Sequence, residues 1–414
     1  MGCCGEHSRA RLLRRAAAQA GRGLPAVERG MPTPAGTGMD RRSFLTRSGA
    51  ALLSVYGASK LGFAQLEAGI ASAQGGGGPV IVNVFLEGGM DSLSVLAPVD
   101  DPNYQAWRPT LKLGAGDGSG FAEDGRLRWH PSAAPLDTLH REGKVAVVPA
   151  IGYSGADQSH FTSRHYYEVG ELSTHTRTGW LGRLLDAVGT EDNPLQGVCL
   201  DGRLSPTMAT ASVPVASIDG PCFDLYAPGV WNEVEGLMFD AVDRMGGVHA
   251  ASPDVGLQQA GRVARHAMQL KAQLEPFCQE DVVSPVSYPD DGFAEDLGVA
   301  AQTLLAFQRD LESRGLAGRV VTLVWSEFGR RPRENGSAGT DHGAGGLALV
   351  IGSRVNGRMV GEFPGLDQLD EDENMLHTQD FRGVYCSLLE QWFGVDAAAA
   401  IPGASGFNRP ALIR

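Results

Sequence analysis

Val80-Ile81-Val82-Asn83-Val84-Phe85-Leu86, followed at once by Glu87-Gly88-Gly89-Met90-Asp91, decides the reading of the fold. The first seven residues are β-branched or otherwise apolar at every place but one, which suits a central strand covered on both faces. The glycines then stop it and turn the chain. Working outward, the same grammar returns three times. Val145-Ala146-Val147-Val148-Pro149-Ala150-Ile151 ends in Gly152, Val320-Val321-Thr322-Leu323-Val324-Trp325 leads into Ser326-Glu327-Phe328-Gly329-Arg330, and Leu347-Ala348-Leu349-Val350-Ile351 ends in Gly352.

Helical spacing fills the intervals. Ala133 to Arg141 reads as a short helix, Val263, Ala267, Leu270 and Leu274 recur at steps of three and four, and Leu297, Ala300, Leu304, Phe307 and Leu311 form a stripe closed by Gly315. A last helix is expected from about Phe381 to Phe393. Strands alternating with helices predict an open α/β fold around a mostly parallel sheet. The segment 201–253, richer in Pro, Gly and Ser, is expected to be an irregular insertion. Residues 74–414 are read as one domain.

Ahead of that domain the chain carries a different message. Asp40-Arg41-Arg42-Ser43-Phe44-Leu45, a weakly apolar run from Gly49 to Ala58, and Ala71-Ser72-Ala73 stand in the order of a twin-arginine export signal with its cleavage site. Residues 39–73 are therefore read as an address for the twin-arginine translocon, residues 1–38 as an upstream extension before a start at Met39, and the mature protein as periplasmic or extracellular. No apolar run of membrane-spanning length follows the leader.

Charge separates the two parts. The 414 residues carry 35 Lys and Arg against 48 Asp and Glu. The first 73 residues hold ten basic and four acidic side chains, so the remainder has 25 basic against 44 acidic. A body of that sign repels phosphate backbones and makes nucleic acid an unsuitable partner. Beyond Cys3 and Cys4 in the leader, Cys199, Cys222, Cys278 and Cys386 lie far apart with no Cys-x-x-Cys pair. Zinc-thiolate chemistry is thereby disfavoured, and a bridge such as Cys199 to Cys222 is left open.

In open α/β sheets ligands bind where strands deliver their last residues into loops. The segments bordering these strands hold Asp91, Glu327, and Asp341-His342 between glycines, all side chains that suit a divalent ion such as zinc, manganese or calcium. After the strand at 145 comes Gly152-Tyr153-Ser154-Gly155-Ala156-Asp157-Gln158-Ser159-His160-Phe161, where a helix is expected to begin. A serine at a helix start sits among unpaired N–H groups, so Ser159 is read as a nucleophile or as a plain N-cap.

The succession Gly-Gly-x-Asp, Ser-His-Phe, Ser-Glu-Phe-Gly-Arg, Asp-His-Gly and, near the end, Asp-Phe-Arg resembles exported, twin-arginine-tagged proteins of unknown function in the alkaline-phosphatase-like superfamily. The resemblance runs from about Val80 to Gly394. It implies a three-layer α/β/α sandwich and a serine, threonine or modified cysteine nucleophile beside metal ions. Carried over, Asp91, Asp341 and His342 match one metal site, and Ser159 with His160 beside it matches the nucleophile. A second site would take Glu327 and His377, but its middle ligand falls on Arg331, which stays protonated and cannot ligate, so this site is incomplete or absent, or His160 completes it as a metal ligand by a different route. Arg331 is read instead as positive charge for a substrate anion. These residues imply a metal-dependent hydrolase of a small phosphate or sulfate ester, with a non-catalytic binding or assembly protein of the same fold as the alternative.

Overall fold

The computed structural model describes residues 78–114, 116–218, 232–278, 286 and 296–414. The twin-arginine segment, the cleavage signature, Met39, Cys3, Cys4 and Cys222 lie outside the described residues. Cys199 and Cys386 are free thiols. Among the described residues no helix is long and apolar enough to cross a membrane.

The main sheet has five strands. In chain order these are β1 (Val80–Phe85), β2 (Val145–Gly152), β3 (Val320–Trp325), β6 (Gly346–Ile351) and β7 (Gln379–Asp380), while β4 (Gly329–Glu334) and β5 (Thr340–Gly343) form a separate antiparallel hairpin. Across the sheet the order is β1-β3-β6-β2-β7. β1 with β3 and β2 with β7 are parallel, but β6 runs antiparallel to both of its neighbours. The sheet is therefore mixed, with one reversed strand at its centre. A parallel return needs a crossover of a dozen or more residues, usually a helix. Between Trp325 and Gly346 the chain spends its length on the β4–β5 hairpin instead, and so it comes back the opposite way.

Alternation along the strands sorts side chains to two faces. Val145 and Val147 of β2 and Leu347, Leu349 and Ile351 of β6 pack with Leu136 and Leu139 of α1 (Ala134–Arg141) and Ala301 and Leu304 of α6 (Asp296–Ser313). Ala146, Val148, Ala348 and Val350 face the other way. They join Tyr167 of α2 (His160–Val169), Trp180 of α3 (Trp180–Val188) and Phe381 and Tyr385 of α7 (Phe381–Ser387). β2, β3 and β6 are buried at every position, and this two-sided burial is the cause of their apolar runs; β1, read from its sequence as a central strand, stands instead at the edge of the sheet and is fully buried only at Val84.

The segment 201–253 departs from the irregular reading. Ala216–Ser217 pairs with Val198–Cys199, and Asn232–His249 is a helix, α4, that packs on α5 (Val255–Cys278) where Gly246 meets Gly261. Pro and Gly near 201–230 had lowered the helical character of the whole window, although from Glu233 onward it consists largely of helix formers.

Candidate active site

Four turns meet at one edge of the sheet: those following the carboxyl ends of β1, β3 and β2, and the one leading into the amino end of β6. Reversal of β6 is what brings this last turn there, since an antiparallel strand starts where its neighbours stop.

At the centre lies Glu327, two residues past β3 and 0% exposed. Its carboxylate is saturated. Gly88 N–H donates to Oε1 at 2.9 Å and also lies 3.2 Å from Oε2, and Gly89 N–H donates to Oε2 at 3.2 Å. Ser326 Oγ lies 2.9 Å from Oε2 and 2.6 Å from the Leu86 carbonyl, so its single proton serves one of the two. Gly88 and Gly89 have φ of +110° and +76°, which only glycine adopts at little cost, and this turns consecutive N–H groups onto one anion. Burial alone would raise the Glu327 carboxyl. The hydrogen bonds from His160, from its own N–H, from Gly88 and from Ser326 more than reverse this, and its pKa lies below the usual glutamate value.

His160 opens α2, and its Nδ1 stands 2.7 Å from Glu327 Oε1 while the side chain keeps 36% exposure. His342, on β5, places Nδ1 2.8 Å from the Gln158 carbonyl. A carbonyl only accepts, so this Nδ1 carries the proton and Nε2 of the neutral ring is left with the lone pair. The His342 pKa is lowered, chiefly by burial and then by the charges of His160 and Arg330, against the raising effect of the Gln158 bond. The two imidazoles meet edge to face with centroids 4.4 Å apart, and both lean on the buried Phe328 ring at 4.8 and 4.6 Å.

Positive charge enters from Arg330, which pairs with His342 across the β4–β5 ladder. Its guanidinium donates to the carbonyls of Gly88, Gly89 and Thr340 and so clamps the loop that wraps Glu327. Successive residues of a strand point to opposite sides, and Arg330 takes the side of this loop. Arg331, the arginine selected by motif comparison, has a buried Nε without a hydrogen-bond partner, and its carbonyl accepts from Arg108. Arg330 and Arg331 are adjacent on β4 and so point to opposite sides; which of the two faces the Glu327 loop is set by the pairing of Arg330 with His342.

The other expected residues take different places. Ser159 is the N-cap of α2, its Oγ accepting from Phe161 N–H and Thr162 N–H at 3.3 and 3.4 Å. His377 reaches the same edge, for a Cβ on Gly152 would fall 2.8 Å from its own Cβ. Asp91 caps the short helix Ser92–Val95 and is gripped in a bidentate pair by Arg108, at 2.6 and 2.9 Å. Asp341 is exposed, and its Oδ1 accepts from Asn335 at 2.9 Å.

Structural zinc is held by four protein ligands and catalytic zinc by three, drawn from such side chains. Among the described residues no three His, Cys, Asp or Glu side chains are grouped to hold a metal ion. The set expected from the sequence does not fit as arranged. Asp91 is spent on Arg108, Asp341 faces solvent, and Glu327 has both oxygens in hydrogen bonds. What His160 and His342 offer instead is two imidazoles fixed through Nδ1, with Nε2 as the basic nitrogen of the neutral ring.

Comparison with known proteins adds little beyond this geometry. Residues 291–393 match the family model described as a protein of unknown function (DUF1501), a stretch that holds Glu327, Arg330, His342 and His377 but not His160. A protein in the alkaline phosphatase superfamily from Vibrio parahaemolyticus is similar at 12% identity, with a TM-score of 0.32, over 88% of this chain and 76% of its own. A likeness of that size carries no argument about activity. No curated protein matches the chain.

Proposed function

We propose that the protein is an exported hydrolase of a small phosphate or sulfate ester, working outside the cytoplasm, in which His160 is the general base and Glu327 its orienting carboxylate. The observation that carries this reading is the 2.7 Å contact from His160 Nδ1 to a fully buried carboxylate. A base must be held in one tautomer and one direction, and a carboxylate behind Nδ1 does both while stabilising the imidazolium that forms. Ser159 supplies the nucleophilic oxygen. Its proton passes to His160 Nε2 as the bond from Oγ to phosphorus or sulfur forms, and the imidazolium returns that proton to the departing alkoxide. Water then attacks the seryl ester by the same route in reverse. The charge of Arg330 at the rim favours an anionic substrate.

The three-layer α/β/α reading of the fold is supported by the helices packed on both faces of the sheet, and the export reading by the order of residues 40–73. We derive no step through a metal ion. A second reading, an envelope binding protein that has kept a hydrolase fold, is favoured by the capture of Asp91 by Arg108 and by the engagement of Ser159 Oγ as a cap.

Turnover of aryl phosphates and aryl sulfates by the purified full-length protein decides between them. The proposal expects turnover that falls in His160→Gln, Glu327→Gln and Ser159→Ala alike. Loss in the first two with retention in Ser159→Ala would transfer the attack to water, and unchanged turnover in His160→Gln would end the general-base reading.

A further inference from the structure

Behind Glu327 runs a second line of polar groups that the chemistry above does not touch. Ser163, one turn into α2 and 0% exposed, places Oγ 2.5 Å from the Glu327 carbonyl oxygen. Tyr153, the residue after β2 and 3% exposed, places its hydroxyl 2.9 Å from that Oγ. Asp157 N–H in turn lies 3.0 Å from the Tyr153 hydroxyl. A carbonyl only accepts and each hydroxyl has one proton, so Ser163 O–H goes to the Glu327 carbonyl, while the Tyr153 proton serves Ser163 Oγ at 2.9 Å or the Asp157 carbonyl at 3.3 Å; with the shorter bond the line runs from Asp157 N–H through Tyr153 and Ser163 to Glu327. Burial pushes the Tyr153 hydroxyl up to about 12, which keeps it a donor at neutral pH. Edge-to-face contacts with Tyr166, Tyr167 and Phe381 fix the ring.

This relay joins the two pieces of chain that must agree for the site to exist. Glu327 hangs from the end of β3 and His160 from the start of α2, and Ser163 lies on the same helix as His160, three residues on. A hydrogen bond from Ser163 to the Glu327 peptide thus ties the helix carrying the imidazole to the backbone carrying the carboxylate. The 2.7 Å contact between their side chains depends on that spacing.

We infer that Tyr153 and Ser163 are positioning residues, which hold the Glu327 backbone against α2 so that its carboxylate meets His160 Nδ1. The inference rests on the proposed general-base role for its catalytic consequence, but not for its geometric one.

The test uses the full-length protein labelled with 15N in histidine side chains. The His160 Nδ1 proton is assigned by its loss in His160→Gln, and its exchange with water is timed by NMR. Losing one buried hydrogen bond should speed that exchange about tenfold in Ser163→Ala, with a smaller rise in Tyr153→Phe and recovery in Ser163→Thr. Turnover of the aryl ester should show kcat falling in the same order while KM stays within about twofold, because only transition-state contacts are weakened. Melting temperatures of the variants separate positioning from unfolding, and Tyr153→Phe, which deletes a single oxygen, is the safeguard if Ser163→Ala fails to fold. Exchange and kcat at wild-type values in both variants would overturn the inference. Full activity in Glu327→Gln together with faster proton exchange in Ser163→Ala would instead remove the catalytic reading and leave the positioning intact.

Discussion

Two of the carboxylates that follow the strands of this sheet, Asp91 and Glu327, are held in opposite ways. Asp91, beyond β1, meets Arg108, a guanidinium with 0% exposure that also donates to the Pro332 and Arg331 carbonyls. Glu327, beyond β3, meets two glycine N–H groups, a serine and the half-exposed His160. An arginine never gives up its proton in a protein, so the charge on Asp91 is fixed in place as a strut between the Ser92–Val95 turn and β4. An imidazole can take up and pass on a proton, so the anion behind it can take part in chemistry. The partner, more than the carboxylate, sets the two regions apart, and under the proposed function it makes the first structure and the second site.

The contrast can be broken most forcefully at the site. Replacing Glu327 with Gln should lower turnover about 10²- to 10⁴-fold, the usual contribution of general acid–base catalysis, in a steady-state assay. The same change at Asp91, to Asn, should spare turnover in whatever fraction of the protein stays folded. If Asp91→Asn abolished activity in fully folded protein, the strut would have to be counted as part of the site.

Next in size is the strut itself. Arg108→Met leaves a largely buried carboxylate and two carbonyls without their donor, and should cost about 3–5 kcal/mol in denaturant unfolding. Adding Asp91→Asn to that variant should recover much of the loss, since an uncompensated charge is what costs most. A double variant no more stable than Arg108→Met would show that packing, and not charge, is the role of the pair.

A smaller effect is expected from pH. The folded pKa of Glu327 is lowered, so the unfolded chain binds its proton more readily than the folded one. The stability it contributes is present above the unfolded value of about 4.3 and drains away as pH falls from there through the folded value. Urea unfolding followed downward from about pH 6 should show a gentler loss in Glu327→Gln than in the wild type across that window. A steeper loss would reverse the assigned sign.

The least effect belongs to Asp341. Exposed and bonded only to Asn335, it should tolerate Asp341→Ala within about 0.5 kcal/mol and with turnover nearly unchanged. Loss of activity there, accompanied by loss of bound metal in elemental analysis, would restore the Asp-His pair as a ligand set and displace the metal-free reading.

Much of the fold was legible along the chain. The strands at 80–85, 145–152, 320–325 and 346–351 follow from nearly continuous apolar, largely β-branched runs of strand length bounded by glycines or a turn. The stripe from Leu297 to Leu311 yields α6, and Ser159 begins α2 as a capping serine does. Local preference and burial act on neighbouring residues here, so local sequence determines the outcome. It also singled out the turns that hold Glu327, His160 and His342, which the fold brings within contact of one another.

Pairing across the chain was decided only by the tertiary structure. Nothing between Trp325 and Gly346 announces that β6 will run backwards, because direction in a sheet depends on how the chain returns and not on strand composition. Asp91 and Glu327 look alike as acidic residues beside glycine or serine turns. Arg108 reaches the first across 17 residues and His160 the second across 167, and no spacing rule joins them. The reason is physical: a side chain's preference for helix or strand is set by its neighbours in sequence, whereas the state of a charge is set by whatever folding places within a few ångströms of it.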